Sequence, residues 1–195
     1  MGKWIGITLI LASIYFLGVG GYQFYEMNAE KNSAMKEAQN IVYAESRERG
    51  NLEDGLSSII EPERGDIIGI FAMPTLDEEY PIVEGTDEEE LKSGVGHFIG
   101  TGFPGEEKQI LLSGHRDTVF RNLGELQVGD IIEVKMSYGT FQYVIEETFI
   151  VDKDDRTVID YEIDDEVLTV STCYPFRYIG DAPERYIINA KPIEV

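Results

Sequence analysis

The first apolar block of the chain runs without interruption. From Trp4 to Tyr25 there is no charged residue, and Ile, Leu, Gly and aromatic side chains fill the stretch. At ~1.5 Å per helical residue it is long enough to cross a hydrocarbon core of about 30 Å. Trp4 near its start and Tyr22, Phe24 and Tyr25 at its far end match the aromatic belts of a membrane-spanning helix. The run is longer than the apolar core of a cleaved signal peptide, and no small-x-small cleavage site follows it cleanly. The pattern divides the chain into a tail (1–3), a transmembrane anchor (4–25), a stalk and linker (26–60) and a folded domain (61–195).

Polarity rises from Glu26 to Gly50. Met27, Ala34, Ala38, Ile41, Val42 and Glu45 leave only a thin stripe at helical spacing. This predicts a spacer helix that lifts the domain off the bilayer. Asn51–Ile60, with Gly55, Ser57 and Ser58, reads as the link to the domain. From Arg64 onwards the period shortens. Asp66–Met73 is an apolar run stopped by Pro74, and Tyr80–Val83 is another. A small helix through Leu91 is predicted after the acidic turn, with Thr86 as cap and Glu89 three residues on. Gln109–Ser113 reads as a strand. Ile132, Val134 and Met136 then alternate with polar residues, Tyr138-Gly139 forms a hairpin turn, and Phe141, Tyr143 and Ile145 alternate again. Two more strand-like runs surround Cys173 and Arg185. Many short strands at this spacing predict an all-β domain, a barrel or a sandwich.

Charge narrows the partners. The net charge of −21 excludes nucleic acid, which has to be met by Lys and Arg, and it disfavours docking on an anionic membrane surface. Lys3 and the amino terminus are the only cations before the span, and Glu26, Glu30 and Lys31 follow it without a basic excess. The positive-inside rule then predicts a cytoplasmic N-terminus and an external domain. One cysteine permits no internal disulfide. Acidic groups at Asp152-Lys153-Asp154-Asp155 and Glu162–Glu166 flank a long connection. Carboxylates of this kind could hold Ca²⁺ through oxygen, but the D-x-D-x-D-G spacing is missing and charge runs are ordinarily solvated faces. No cofactor and no metal ligand set is predicted.

The lone cysteine is the candidate for chemistry. Glu166-Val167-Leu168 leads into Thr169-Val170-Ser171-Thr172-Cys173, a strand stopped by Pro175, which cannot donate to a ladder. A strand-end thiol is held by the sheet yet open to solvent. As nucleophile it needs a base or a cationic neighbour, since an ordinary thiol, with a pKa near ~8.5, is mostly protonated at neutral pH. The only histidines are His97 and His115. His115 ends the apolar run Leu111-Leu112-Ser113-Gly114, and Arg185 opens the run Arg185-Tyr186-Ile187-Ile188. Cys173, His115 and Arg185 thus form a plausible set of thiol, imidazole and guanidinium. As a competitor for the arginine, Arg177 follows Cys173 too closely; Arg116, next to His115, points away or pairs with Asp117.

These residues resemble the sortases, the cysteine transpeptidases of Gram-positive surfaces, which carry a T-L-x-T-C motif, a catalytic His in a G-H segment and an Arg shortly after the Cys. Thr169–Cys173 matches that motif with Val170 in place of Leu. Leu91–His97, Thr101–Gly105, Ser113–Asp117, Phe120–Leu126 and Val128–Asp130 are also similar to sortase sequence, in family order over about 65–195. The Cys-Tyr-Pro-Phe continuation and the short spacing look most like class D. The resemblance implies an eight-stranded β-barrel with short helices behind an N-terminal transmembrane helix. It further implies a single-pass membrane enzyme with His115, Cys173 and Arg185 as catalytic residues, and with Thr172 and His97 beside the substrate pocket. Its substrates would be surface proteins bearing an LPxTG-like sorting signal, and its acceptor a cell-wall peptidoglycan precursor amine. Some sortases bind Ca²⁺ near the loop before the Cys strand; this chain has no obvious match to their ligands before His115. An L,D-transpeptidase carries its Cys after His-Gly or Arg-Gly, unlike Ser171-Thr172. The alternatives are a membrane-anchored cysteine protease acting by hydrolysis only and a non-enzymatic surface-binding module.

Overall fold

The computed structural model describes residues 2–48, 62–178 and 180–193. The expected linker Asn51–Ile60 lies outside the described residues. One helix, α1 (Gly2–Glu48), carries both the apolar span and the polar segment after it. No proline occurs in it, so nothing removes a backbone donor along its length. Its Trp4–Gln23 stretch has a mean hydropathy of 1.8 and is long and apolar enough to cross a membrane.

The second half of α1, read as a spacer helix, packs its thin stripe against the barrel. Ala34, Ala38 and Val42, four residues apart on one face, are buried. Ala38 and Val42 cluster with Ile70 of the first strand, flanked by Met35 and Ile67. Two alanines let the helix approach the barrel closely, and a narrow stripe is enough when the surface it meets is itself apolar.

Eight strands follow: β1 (Ile67–Met73), β2 (Glu78–Glu84), β3 (Val95–His97), β4 (Gln109–Gly114), β5 (Ile131–Met136), β6 (Gly139–Asp152), β7 (Val167–Tyr174) and β8 (Glu184–Pro192). They close into a barrel in the order β1-β2-β3-β4-β7-β8-β6-β5. The β2–β3 and β4–β7 pairs are parallel; the rest are antiparallel. The helix α2 (Glu88–Ser93) makes the β2–β3 crossover. This is the eight-stranded barrel with short helices that the family resemblance implied. The alternation read in β5 is real: Ile132, Val134 and Met136 are buried and their neighbours half-exposed. The interior is filled by Phe71, Phe120, Leu112, Leu168, Ile188 and Tyr143 among others. The Tyr143 hydroxyl donates to Glu166 Oε1 at 2.6 Å, giving a buried polar atom its partner. Burial, then that bond, hold the phenol well above its ordinary pKa.

Two local readings shift. The β5–β6 hairpin turns at Ser137-Tyr138, one residue earlier than predicted, because Gly139 is already paired with Met136. Tyr138 is drawn to the loop by contacts a sequence pattern does not record: its hydroxyl donates to Pro104 O at 3.1 Å and its ring meets Phe141 edge-on. The N-cap of α2 is Asp87, not Thr86, and it makes no side-chain capping bond. Its carboxylate pairs with Arg64 instead.

Candidate active site

The site follows from strand register. β4 and β7 run parallel, with Ser113 level with Ser171 and Gly114 level with Thr172. His115 and Cys173 are the next residues along these two chains. β8 returns antiparallel to β7 and sets Arg185 directly opposite Cys173. Three neighbouring strands, far apart in the sequence, thereby bring the three candidate groups to one end of the barrel. All three line a cleft of about 290 Å³. Leu111, Ser113 and Ile187 form its floor, and Val158, Ile159 and Asp155 form a wall contributed by the long connection between β6 and β7.

Cys173 is free and half-buried. Arg185 Nη1 donates to the carbonyls of Glu184 (3.0 Å) and Ala182 (3.4 Å), which orients the guanidinium. The fork carries further N–H donors for an oxygen in the cleft. Thr172 is buried, lines the cleft, and donates from Oγ1 to Gly114 O at 2.7 Å. That bond crosses between the residues just before His115 and Cys173, and so fixes the spacing of imidazole and thiol.

His97 stands elsewhere. Expected beside the substrate pocket, it is buried and does not line the cleft. Its Nδ1 lies 2.7 Å from Glu84 Oε2 and its Nε2 3.1 Å from Gly102 O, and its ring stacks on Phe103 at 4.6 Å. It is an internal tie between β2, β3 and the following loop. Arg116 does not pair with Asp117. It donates to the carbonyls of Tyr178 (2.9 Å), Gly180 (2.8 Å) and Pro175 (3.3 Å), and so clamps the β7–β8 loop beside Cys173. Arg177 is exposed and lines a separate cavity without Cys173.

Sequence reasoning passed over Gln109. Its buried Nε2 donates to Val158 O (2.8 Å) and Thr169 Oγ1 (2.9 Å), and its Oε1 accepts from Asp160 N (2.8 Å). One amide thus ties the cleft wall to the start of β4. The available signal was an amide side chain opening a strand that continues Ile-Leu-Leu. The acidic groups of the same connection are spent locally. The carboxylates of Asp152, Asp155 and Asp160 each accept from the backbone N–H two residues on, at 2.9, 2.8 and 3.0 Å. Asp155 also accepts from the Thr157 hydroxyl at 2.6 Å, and these bonds hold its carboxyl below the ordinary range. Among the described residues no three acidic, thiol or imidazole groups converge as a metal site.

A barrel of this topology, with thiol, imidazole and guanidinium at one end, has counterparts among known proteins. The family model for the sortase domain matches residues 71–193. The chain belongs to the sortase family, the cysteine transpeptidases. Sortase D of Bacillus subtilis (strain 168) is 41% identical over 198 residues, spanning 99% of this chain and 100% of that protein. The Clostridium perfringens sortase D5 transpeptidase superposes with a TM-score of 0.68 at 29% identity, over 85% of this chain and 99% of that one. The catalytic domain of B. anthracis SrtD gives a TM-score of 0.58 at 42% identity, over 71% and 95% of the two chains.

Proposed function

We propose that this chain is a membrane-anchored class D sortase that cleaves an LPxTG-type sorting signal after its Thr and joins the new carboxyl end to a cell-wall amine. The observation that carries the reading is the register of β4, β7 and β8, which gathers His115, Cys173 and Arg185 around one cleft. Residues 61–195 are the catalytic domain, the Trp4–Tyr25 segment is a single-pass anchor, and the domain stands on the external face. The positive-inside argument at Lys3 supports that topology.

In this mechanism the Cys173 thiolate attacks the Thr carbonyl carbon, and the carbonyl electrons move onto oxygen. Arg185 donates hydrogen bonds to that oxygen as charge develops on it. The intermediate collapses as the C–N bond breaks, and His115 delivers a proton to the departing amine. The product is a thioester on Cys173. An acceptor amine then attacks it, His115 takes the amine's proton, a new amide forms, and the thiolate leaves. Thr172, through its bond to Gly114 O, holds the spacing of His115 and Cys173.

The test is turnover of a sorting peptide with and without an added amine, for the parent chain and for Cys173→Ala. We expect amine-dependent transfer and a thioester adduct on Cys173, and neither in the folded variant. Cleavage at a rate and to products indifferent to amine would convert the assignment to a hydrolytic protease. No turnover of any sorting peptide would leave the binding-module reading in its place.

A further inference from the structure

The direction in which α1 lies on the barrel determines which end of the barrel meets a membrane. Strand directions define two ends. β1 is antiparallel to β2 and β5, β2 is parallel to β3, β3 is antiparallel to β4, and β4 is parallel to β7. The C-terminal ends of β1, β4 and β7 therefore lie together, with the start of β8, and His115, Cys173 and Arg185 stand at that end. The β5–β6 hairpin loop stands at the other.

α1 packs along β1 with Val42 and Ala38 against Ile70 and beside Ile67. Three turns back toward the apolar span, Lys31 lies within electrostatic reach of Asp117 and Arg121, on the loop just after His115. Moving along α1 toward the span is thus moving toward the catalytic end. The span ends at Gln23. The eight residues from there to Lys31 cover ~12 Å of helix. A headgroup layer takes up about 5–7 Å of that, half the difference between a ~30 Å core and a ~40–45 Å bilayer. The loop from Asp117 to Arg121 is left within a side-chain length of the headgroups.

The surface there suits such a neighbour. A cavity at this end is lined by Arg116, Arg121 and Arg177 against Asp117 and Glu125, so cations predominate locally in a chain whose net charge is −21. Val128, in the loop before β5, is 64% exposed. Basic side chains near headgroup phosphates are each attractive, and the carboxylates of Asp152, Asp181 and Glu184 share the same end of the barrel.

We propose that the catalytic end of the barrel faces the bilayer, docked by α1, with Arg121, Arg177 and Val128 resting on the lipid headgroups. This rests on the anchor reading of the Trp4–Gln23 helix. A membrane-tethered chain or acceptor then meets Cys173 at the bilayer surface and is spared a climb of one strand length, ~20 Å for six residues.

The experiment uses the full chain in nanodiscs of zwitterionic and anionic phospholipid, on a Cys173→Ala background. Spin labels are placed singly at Arg121→Cys and Val128→Cys on the proposed contact face, at Thr140→Cys on the exposed far end, and at Leu11→Cys within the span. Collision with a nickel chelate attached to lipid headgroups is measured at each. With the two ends ~20 Å apart, the 121 and 128 labels should relax at least about fivefold faster than the 140 label. Equal rates, or faster relaxation at 140, overturn the proposal while leaving the anchor intact. A label at 11 that is accessible to water-soluble nickel defeats the anchor reading and takes the proposal with it.

Discussion

Replacing Gln109 by Leu removes one amide and releases three hydrogen bonds, to Val158 O, Asp160 N and Thr169 Oγ1. The substitution keeps the volume of a side chain that is buried at the start of β4. Thr169 keeps a second partner, Asn189 Oδ1 at 3.0 Å, but the two loop groups lose theirs. Val158 and Asp160 sit near the surface and can recover hydrogen bonds from water only by lifting the connection off β4. At a net ~0.5–1.5 kcal/mol per bond, the two bonds to the connection make the held conformation lose roughly 1–3 kcal/mol relative to the lifted one. Binding that requires the held wall is weakened by the fraction of molecules still holding it. With ~1.4 kcal/mol per tenfold, the middle of that range corresponds to a rise of up to about 30-fold in KM for a sorting peptide. The chemical step, set by β4, β7 and β8, should keep its kcat within a few-fold. The assay is steady-state turnover of the peptide over a wide concentration range, alongside alkylation of Cys173 by iodoacetamide and amide exchange across residues 153–166. We expect higher KM, unchanged alkylation and faster exchange in that segment. Gln109→Glu, which can still accept from Asp160 N, should fall between parent and Leu. An unchanged KM in a folded Gln109→Leu protein with faster exchange in 153–166 would show that the wall does not position substrate. A fall in kcat alone would show that the residue acts on the chemistry and not on the wall.

The other tests are shorter. Arg185→Lys keeps the charge but loses the rigid fork, and kcat/KM should fall about 10²–10³-fold, the usual consequence of removing an oxyanion donor; activity near that of the parent would mean that Arg185 acts only through its charge. Glu84→Leu leaves His97 Nδ1 without its partner inside the barrel and should cost about 1–3 kcal/mol in denaturant unfolding while sparing kcat, because His97 does not line the cleft; a selective loss of kcat would return His97 to the site. Asp155 has a depressed carboxyl pKa, so its contribution to the ordered turn is complete above the unfolded value and is lost as pH falls through the folded one. Amide exchange at Thr157 should therefore quicken only below about pH 4, and Asp155→Asn should flatten that dependence.

Much of this architecture is legible in the chain, for reasons that differ from place to place. The β5 alternation and the uncharged Trp4–Tyr25 run are periodic signals, produced by one face or one whole segment meeting an apolar environment. The Thr169–Cys173 strand and the Gly114-His115 strand end are legible as local patterns with a known family likeness. What escaped has another character. Gln109 and Arg116 act on backbone carbonyls and amides, which every residue carries, so no side-chain partner marks them in the sequence. His97 and Glu84 lie 13 positions apart and are joined only by the β2–β3 pairing. Ala34, Ala38 and Val42 are too few to look like a packed face until Ile70 is seen beneath them.

The position of β8 between β7 and β6 has a consequence for how the enzyme comes into being. Of the eight strands it is the last in sequence, yet it completes the ring from the inside, and Cys173 gains its guanidinium neighbour only when β8 pairs with β7. The β4–β7 contact that levels Gly114 with Thr172 joins positions 58 residues apart, the kind of distant pairing that forms slowly. A barrel that lacks β8 therefore holds the thiol without the guanidinium opposite it. The grouping of thiol, imidazole and guanidinium at one cleft is complete only once the last strand is in place.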